Sequence, residues 1–164
     1  MMRLFLLLCC SVFIFSCSRN TIYIVRHAEK AAASGNMMSS DVPLSEAGQQ
    51  RATALKNVLA AKNVRYIFST QTIRTTSTAK PLGELMSVPV QLYSPKDTVD
   101  RFVARVKSVK KGNLLIVGHS NTVDDLVNKM MKQNLLTDLP DAEYDNLFII
   151  QRKGKKYFFS REKY

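Results

Sequence analysis

The sequence predicts an α/β protein: a three-layer sandwich whose mostly parallel central sheet carries helices on both faces. Three observations lead there. Short runs rich in β-branched and aromatic residues alternate with stretches whose apolar residues recur at helical spacing. Residues 113–118, "NLLIVG", are apolar without alternation, as in a central strand covered on both faces. The chain has 164 residues, 46% of them hydrophobic, enough for one real core and too few for two ordinary domains.

Each element has its own signal. Thr21–Val25 reads as the first strand, and it stops on Arg26 and His27 rather than on turn formers. Residues 31–43 are small and polar and read as a loop. Residues 44–63 read as a helix with Ser45 as N-cap, Glu46 in the first turn, and Ala52, Leu55, Val58 and Leu59 along one side. Residues 64–70 form a second strand, 73–87 a helix that Pro81 should kink or divide, and 88–93 a third strand. Residues 97–112 are helical, with Val99, Phe102, Val103 and Val106 as the apolar stripe and Gly112 as the stop. Beyond "NLLIVG" come a helix over 122–136 and a hairpin over 146–161 turning at Lys153-Gly154. No internal repeat and no Pro/Gly-rich linker divides the chain.

The first residues stand apart. "MMRLFLLLCCSVFIFSC" has one cation, Arg3, followed by about a dozen apolar residues, the length of a signal peptide's apolar region and too short for a membrane span. Its end, Ile14-Phe15-Ser16-Cys17, resembles the bacterial lipobox. That resemblance implies a signal peptide over 1–16, a lipidated linker over 17–20 and a folded domain over 21–164. It implies acyl chains on Cys17, and more than one chain is what stable anchoring needs. Ser18, rather than an Asp, follows the cysteine, which favours an outer-membrane anchor on the periplasmic side.

Cys9, Cys10 and Cys17 are then all accounted for, so the folded part has no thiol and no disulfide. Two histidines without cysteine partners do not make a zinc site, and neither metal nor cofactor is expected. The formal charge is +11, or +10 once Arg3 has gone. That suits phosphates or anionic lipid headgroups. The basic residues carry no nucleic-acid-reading motif, including those clustered over 151–164, and no nucleic-acid partner is expected.

In sheets of this class ligands bind beyond the carboxyl ends of the strands. Both histidines sit there, His27 after the first strand and His119 after "LLIVG". Arg26 leaves the first strand beside His27, and Arg74 lies just inside the helix that follows the second strand. Convergence of these ends would gather two guanidinium groups and two imidazoles, the equipment for binding a phosphoryl group.

"VRHAEK", "PLSEAGQQRA", "FSTQTIRTTSTA" and "VGHSNTV", in this order and spacing, resemble the histidine phosphatase superfamily, also called phosphoglycerate-mutase-like. The resemblance runs from about Thr21 to Phe148 and includes the late "EYDNLFII". It implies a covalent phosphoenzyme with His27 as nucleophile, Arg26 and Arg74 as pocket arginines, and His119 as second histidine. Neutral imidazole can attack phosphorus, and neighbouring arginines disfavour its protonation and stabilise charge on the transferring group. His119 is expected to donate to the phosphoryl group and to be cationic once substrate is bound. Ser120 and Asn121 begin a helix, where they either cap it or contact the anion.

For the leaving-group proton, family members resembling acid phosphatases carry an aspartate directly after the second histidine, where this chain has Ser120. Asp97, Asp100 and Asp124 remain, and Asp97 is the choice because it starts a helix facing the same rim. Without a carboxylate in place, activated esters would be cleaved far better than alkyl phosphates.

The expected function is a metal-independent phosphomonoesterase, lipid-anchored in the envelope, acting on a small phosphorylated substrate or a phosphorylated surface group. Two other readings compete with it. One is a non-catalytic anion-binding lipoprotein, and the other is a phosphotransferase or mutase, for which the chain is compact.

Overall fold

The computed structural model describes residues 19–32, 41–94 and 99–164. Ten elements follow one another: β1 (Arg19–Arg26), α1 (Glu46–Leu59), β2 (Val64–Ser69), α2 (Ile73–Met86), β3 (Val90–Leu92), α3 (Val99–Ser108), β4 (Asn113–Gly118), α4 (Ser120–Met131), β5 (Asn146–Lys153) and β6 (Lys156–Lys163). One sheet contains all six strands in the order β3-β2-β4-β1-β5-β6. β1 starts at Arg19, so Arg19 and Asn20 pair with β5 opposite Lys153 and Arg152.

The sheet is mixed, not mostly parallel. β3, β2, β4 and β1 run parallel, whereas β5 lies antiparallel to β1 and β6 antiparallel to β5. The first four strands are joined through helices, which return the chain to the same end each time. After α4 no further helix intervenes, and the coil over 132–145 delivers β5 from the opposite end.

Alternation along the strands divides the core into two layers. Ile22 and Ile24 of β1 pack with Phe102, Val103 and Val106 of α3 and with Val123, Leu126 and Val127 of α4. Tyr23 and Val25 face the other way, against Leu55 and Leu59 of α1 and Ala79 and Leu82 of α2. β4 is buried from Leu114 to Gly118, as its unbroken apolar run requires.

Some local details differ from the sequence-based expectations. Pro81 does not divide α2, because Thr75, Thr78, Ala79, Leu82 and Gly83 are buried on both sides of it and tertiary packing outweighs one lost backbone bond. Val58 is exposed, leaving Gly48 to complete the buried side of α1. α3 ends at Ser108, and Gly112, with φ +91°, serves the turn into β4 instead. The hairpin turns one residue later than expected, at Gly154-Lys155, where Gly154 takes a positive φ of 64°.

Gly48 is a close-approach residue. Ser45 caps α1, its hydroxyl accepting from the Gly48 amide at 3.1 Å, while its own amide donates to the Glu29 carbonyl at 2.9 Å. A Cβ on Gly48 would overlap that same carbonyl oxygen. Glu29 closes the clamp by accepting from Arg51 Nε through both carboxylate oxygens, at 2.7 and 2.9 Å. Gly48→Ala should therefore push α1 away from the segment that follows His27 and destabilise the fold by about 1–3 kcal/mol in urea unfolding. An unchanged midpoint would show that the contact relaxes freely.

Candidate functional site

Strand ends converge beyond the carboxyl edge of the parallel strands. The His27 amide donates to the Gly118 carbonyl at 2.8 Å, tying β1 to β4, and the Thr70 amide reaches the Val117 carbonyl at 3.3 Å. The Ala28 amide donates to Thr78 Oγ1 at 2.9 Å, and that hydroxyl donates to the Arg74 carbonyl at 2.7 Å, fixing α2 against the end of β1. Gly118 has no room for a side chain, since a Cβ would stand 2.9 Å from Thr122 Oγ1 and 3.1 Å from Tyr93 Oη.

The result is a cavity of about 320 Å³ lined by Arg26, His27, Arg74, His119, Ser120 and Asn121. Lys30, Val42 and Asp141 complete the lining. A larger hollow of about 760 Å³ between α3 and α4 contains neither histidine and none of the motif arginines.

His27 is 5% exposed, and its Nδ1 lies 2.8 Å from the Ala28 carbonyl. A carbonyl only accepts, so Nδ1 carries the proton and Nε2 keeps its lone pair. His119 adopts the complementary tautomer. Arg74 Nη2 only donates, at 3.4 Å, so His119 Nδ1 accepts, and Nε2–H donates to Thr70 Oγ1 at 2.9 Å. The Thr70 hydroxyl passes on to Thr75 Oγ1 at 3.0 Å. The two imidazole centroids are 5.3 Å apart.

Burial, then the positive charges of Arg74 and Arg26 and the neighbouring His119, lower the pKa of His27 to about 4, against the raising influence of its bond to Ala28. His119 is lowered to about 4 by burial and the same two arginines, with Asp41 opposing. Both rings are therefore neutral at pH 7 in the free site, and any cationic His119 has to await an anion.

Arg26 has more structural work than its position in the sequence indicates. Its Nη1 donates to the carbonyls of Pro140 at 3.0 Å and Asp141 at 3.2 Å, and its guanidinium lies 4.2 Å from the Tyr144 ring centroid. Asp141 Oδ1 stands 3.6 Å from Nη2. Arg74 is steadied from the other side, 3.7 Å from Asp41, whose Oδ1 also accepts from the Ile73 amide at 2.7 Å at the start of α2.

Ser120 and Asn121 line the cavity but do not cap α4. His119 is the N-cap residue, and the hydroxyl of Thr122 accepts from its amide at 2.9 Å. Of the carboxylates, Asp100 is turned away to Lys129 at 2.8 Å, and Asp124 is buried within α4 with its pKa raised by that burial. Asp97 and Cys17, with the signal stretch and residues 33–40 of the first loop, lie outside the described residues.

The sequence reading missed Lys30, Asp41, Asp141 and Tyr144. Tyr144 falls within "EYDNLFII", so the clue was present without a role. Asp141 and Asp41 had no signal beyond ordinary loop composition.

Residues 22–95 match the family model of the histidine phosphatase superfamily (branch 1). A PE-PGRS family protein, PE_PGRS11 of Mycobacterium tuberculosis, is 39% identical over 75 residues. That match covers 43% of this chain and 13% of the other protein, so the chain spans a small part of that relative's length. Among solved structures, the protein histidine phosphatase SixA complexed with tungstate has a TM-score of 0.70 at 16% identity, covering 87% of this chain and 96% of SixA. A mycobacterial glucosyl-3-phosphoglycerate phosphatase has a TM-score of 0.64 at 15% identity, covering 89% of this chain and 98% of that one. At these identities the likeness shows a shared fold.

Acidification should reveal the two buried imidazoles. Their folded-state pKa of about 4 lies below the ordinary 6.5, so the unfolded chain takes up these protons first. Stability is then unaffected by them above about 6.5 and falls as pH drops from there towards 4. Urea midpoints across this window should fall less steeply in a His27→Asn/His119→Asn variant than in the unsubstituted chain. Equal slopes would mean that the rings titrate normally in the fold.

The family match over residues 22–95 includes Arg26, His27, Lys30, Val42 and Arg74 of the cavity lining, while His119, Ser120, Asn121 and Asp141 lie beyond it, and the fold around them is similar to that of solved phosphatases.

Proposed function

We propose that the chain is a metal-independent phosphomonoesterase that works through a phosphohistidine on Nε2 of His27. The observation that carries this reading is the tautomer. With Nδ1–H held by the Ala28 carbonyl, Nε2 of a neutral ring is the nitrogen left to attack phosphorus. As the N–P bond forms, the ester oxygen leaves with its electron pair and takes a proton. Water then breaks the N–P bond, releasing inorganic phosphate and regenerating His27.

Arg74 and Arg26 supply positive charge to the equatorial oxygens. A bound dianion raises the proton affinity of His119, and protonation at Nδ1 turns that atom from an acceptor of Arg74 into a donor to phosphate. Ser120 and Asn121 offer hydrogen bonds at the start of α4. Asp97 is the proposed proton donor. The substrate class is a small phosphate ester or phosphorylated surface group, in keeping with the modest cavity.

The export reading remains part of this proposal and rests on the sequence alone. Cys17 receives lipid, and the domain stands on the periplasmic side of the outer membrane. An acylated N-terminal Cys17 peptide in membrane-extracted protein would support it, and a chain still beginning at Met1 would count against it.

Phosphate release from para-nitrophenyl phosphate tests the catalytic reading. Turnover should survive chelator, vanish in His27→Ala and fall roughly 10²–10³-fold in Arg74→Ala. Asp97→Asn should cost about 10²–10⁴ on alkyl phosphates and much less on the activated ester. Full activity in His27→Ala would remove the nucleophile from this scheme.

A further inference from the structure

The charge of this protein is sorted along the sheet. At the end opposite the cavity, three turns enter or leave strands: residues 60–63 before β2, 109–112 before β4, and 153–156 between β5 and β6. They contain Lys62, Lys110, Lys111, Lys153, Lys155 and Lys156, all exposed, and no acidic residue. These turns lie together, because the Thr21 amide of β1 donates to Asn113 Oδ1 and Arg19 pairs with Lys153. Asn113 Nδ2 also donates to the Lys62 carbonyl at 2.5 Å.

Acidic groups gather at the other end, where they meet the cations. Glu29 holds Arg51, Asp41 faces Arg74, Asp141 faces Arg26, and Glu143 and Asp145 hold Arg161 and Lys163. Among the described residues, six exposed lysines thus stand on the far face with no carboxylate in the turns that carry them.

Two more observations point to the occupant of that face. Phe158, two residues from the hairpin turn, is 48% exposed, with Lys153 Nζ 5.2 Å from its ring centroid. An exposed aromatic among lysines suits a lipid interface, where the ring enters the headgroup boundary and ammonium groups meet phosphates. The chain also enters β1 from this end. Its apolar run from Leu4 to Phe15 lies four residues before Arg19 in the sequence.

We propose that the lysine-rich face is a docking surface for an anionic phospholipid bilayer. Docking sets the orientation of the domain. β1 is eight residues long, so its carboxyl end, with His27, stands roughly 25 Å from the headgroups. The cavity then opens away from the bilayer that holds the domain and takes phosphate esters from solution. Nothing in this docking depends on turnover at His27.

Flotation of the full chain with vesicles tests the proposal, using phosphatidylcholine alone and its mixture with phosphatidylglycerol, each at low and high salt. The apolar leader contributes to both vesicle types, so the ratio between them reads the face. The unsubstituted chain should favour anionic vesicles on the order of tenfold or more at low salt. High salt should erase most of the preference. A variant with Lys110, Lys111, Lys153, Lys155 and Lys156 changed to Gln should lose it while keeping its circular dichroism.

Phe158→Ser keeps every charge and should weaken anionic binding several-fold, which provides a second reading if the five-site variant does not fold. Equal partition of the unsubstituted chain would overturn the proposal. So would a preference that survives both variants, or displacement from anionic vesicles by duplex DNA at equal phosphate, which would make the face a nucleic-acid surface.

Discussion

The hydrogen bond between His27 Nδ1 and the carbonyl of Ala28 decides which ring nitrogen can react, and much of the surrounding structure serves to keep that carbonyl in place. Ala28 is held by Thr78, Glu29 by Ser45 and Arg51, and the His27 amide by Gly118. Three separate stretches of chain, α1 with its cap, α2 and the end of β4, thus converge on three consecutive residues. At Gly48 a Cβ would overlap the Glu29 backbone, and at Gly118 it would crowd the side chains of Thr122, Tyr93 and Val123. A histidine fixed in tautomer and position needs little reorganisation before it attacks, which is the kind of preorganisation that catalysis rewards.

Electrostatics at the site follows from the same packing. Two imidazoles 5.3 Å apart share their surroundings with two guanidinium groups, and burial removes the water that would support further positive charge. The two rings yield their protons. The cavity therefore sets a neutral His27 ring beside two guanidinium groups, which is the setting that the proposed attack on a dianionic phosphoryl group requires. Arg26 gives part of its hydrogen-bonding capacity to Pro140 and Asp141 and rests on Tyr144, so the segment before β5 and the first strand are organised by one side chain.

Much of this was legible in the sequence because the informative residues sit at strand ends. Two histidines and two arginines at such ends, together with an unbroken apolar run at Leu114–Val117, placed the cavity and the central strand. Glu29, Ser45, Gly48 and Arg51 belong to quoted motifs, yet their clamp was not readable, since only tertiary approach reveals why a glycine and a bidentate carboxylate are needed. Pro81 misled because local propensity says nothing of the packing on either side of it. The antiparallel β5 escaped because a hairpin pattern fixes the relation of β5 to β6 and leaves its relation to β1 open. Asp141 and Tyr144 are more than a hundred residues from Arg26, beyond any local pattern.

The most direct test is to mix the protein rapidly with an activated phosphate ester, quench it in the millisecond range, and map any bound phosphate by peptide mass spectrometry and phosphorus NMR. A phosphohistidine mechanism predicts transient phosphate on the peptide containing His27, bonded to Nε2, stable in base and labile in acid, and lost at the rate of turnover. Turnover with no phosphoenzyme, or phosphate on another side chain, would contradict it.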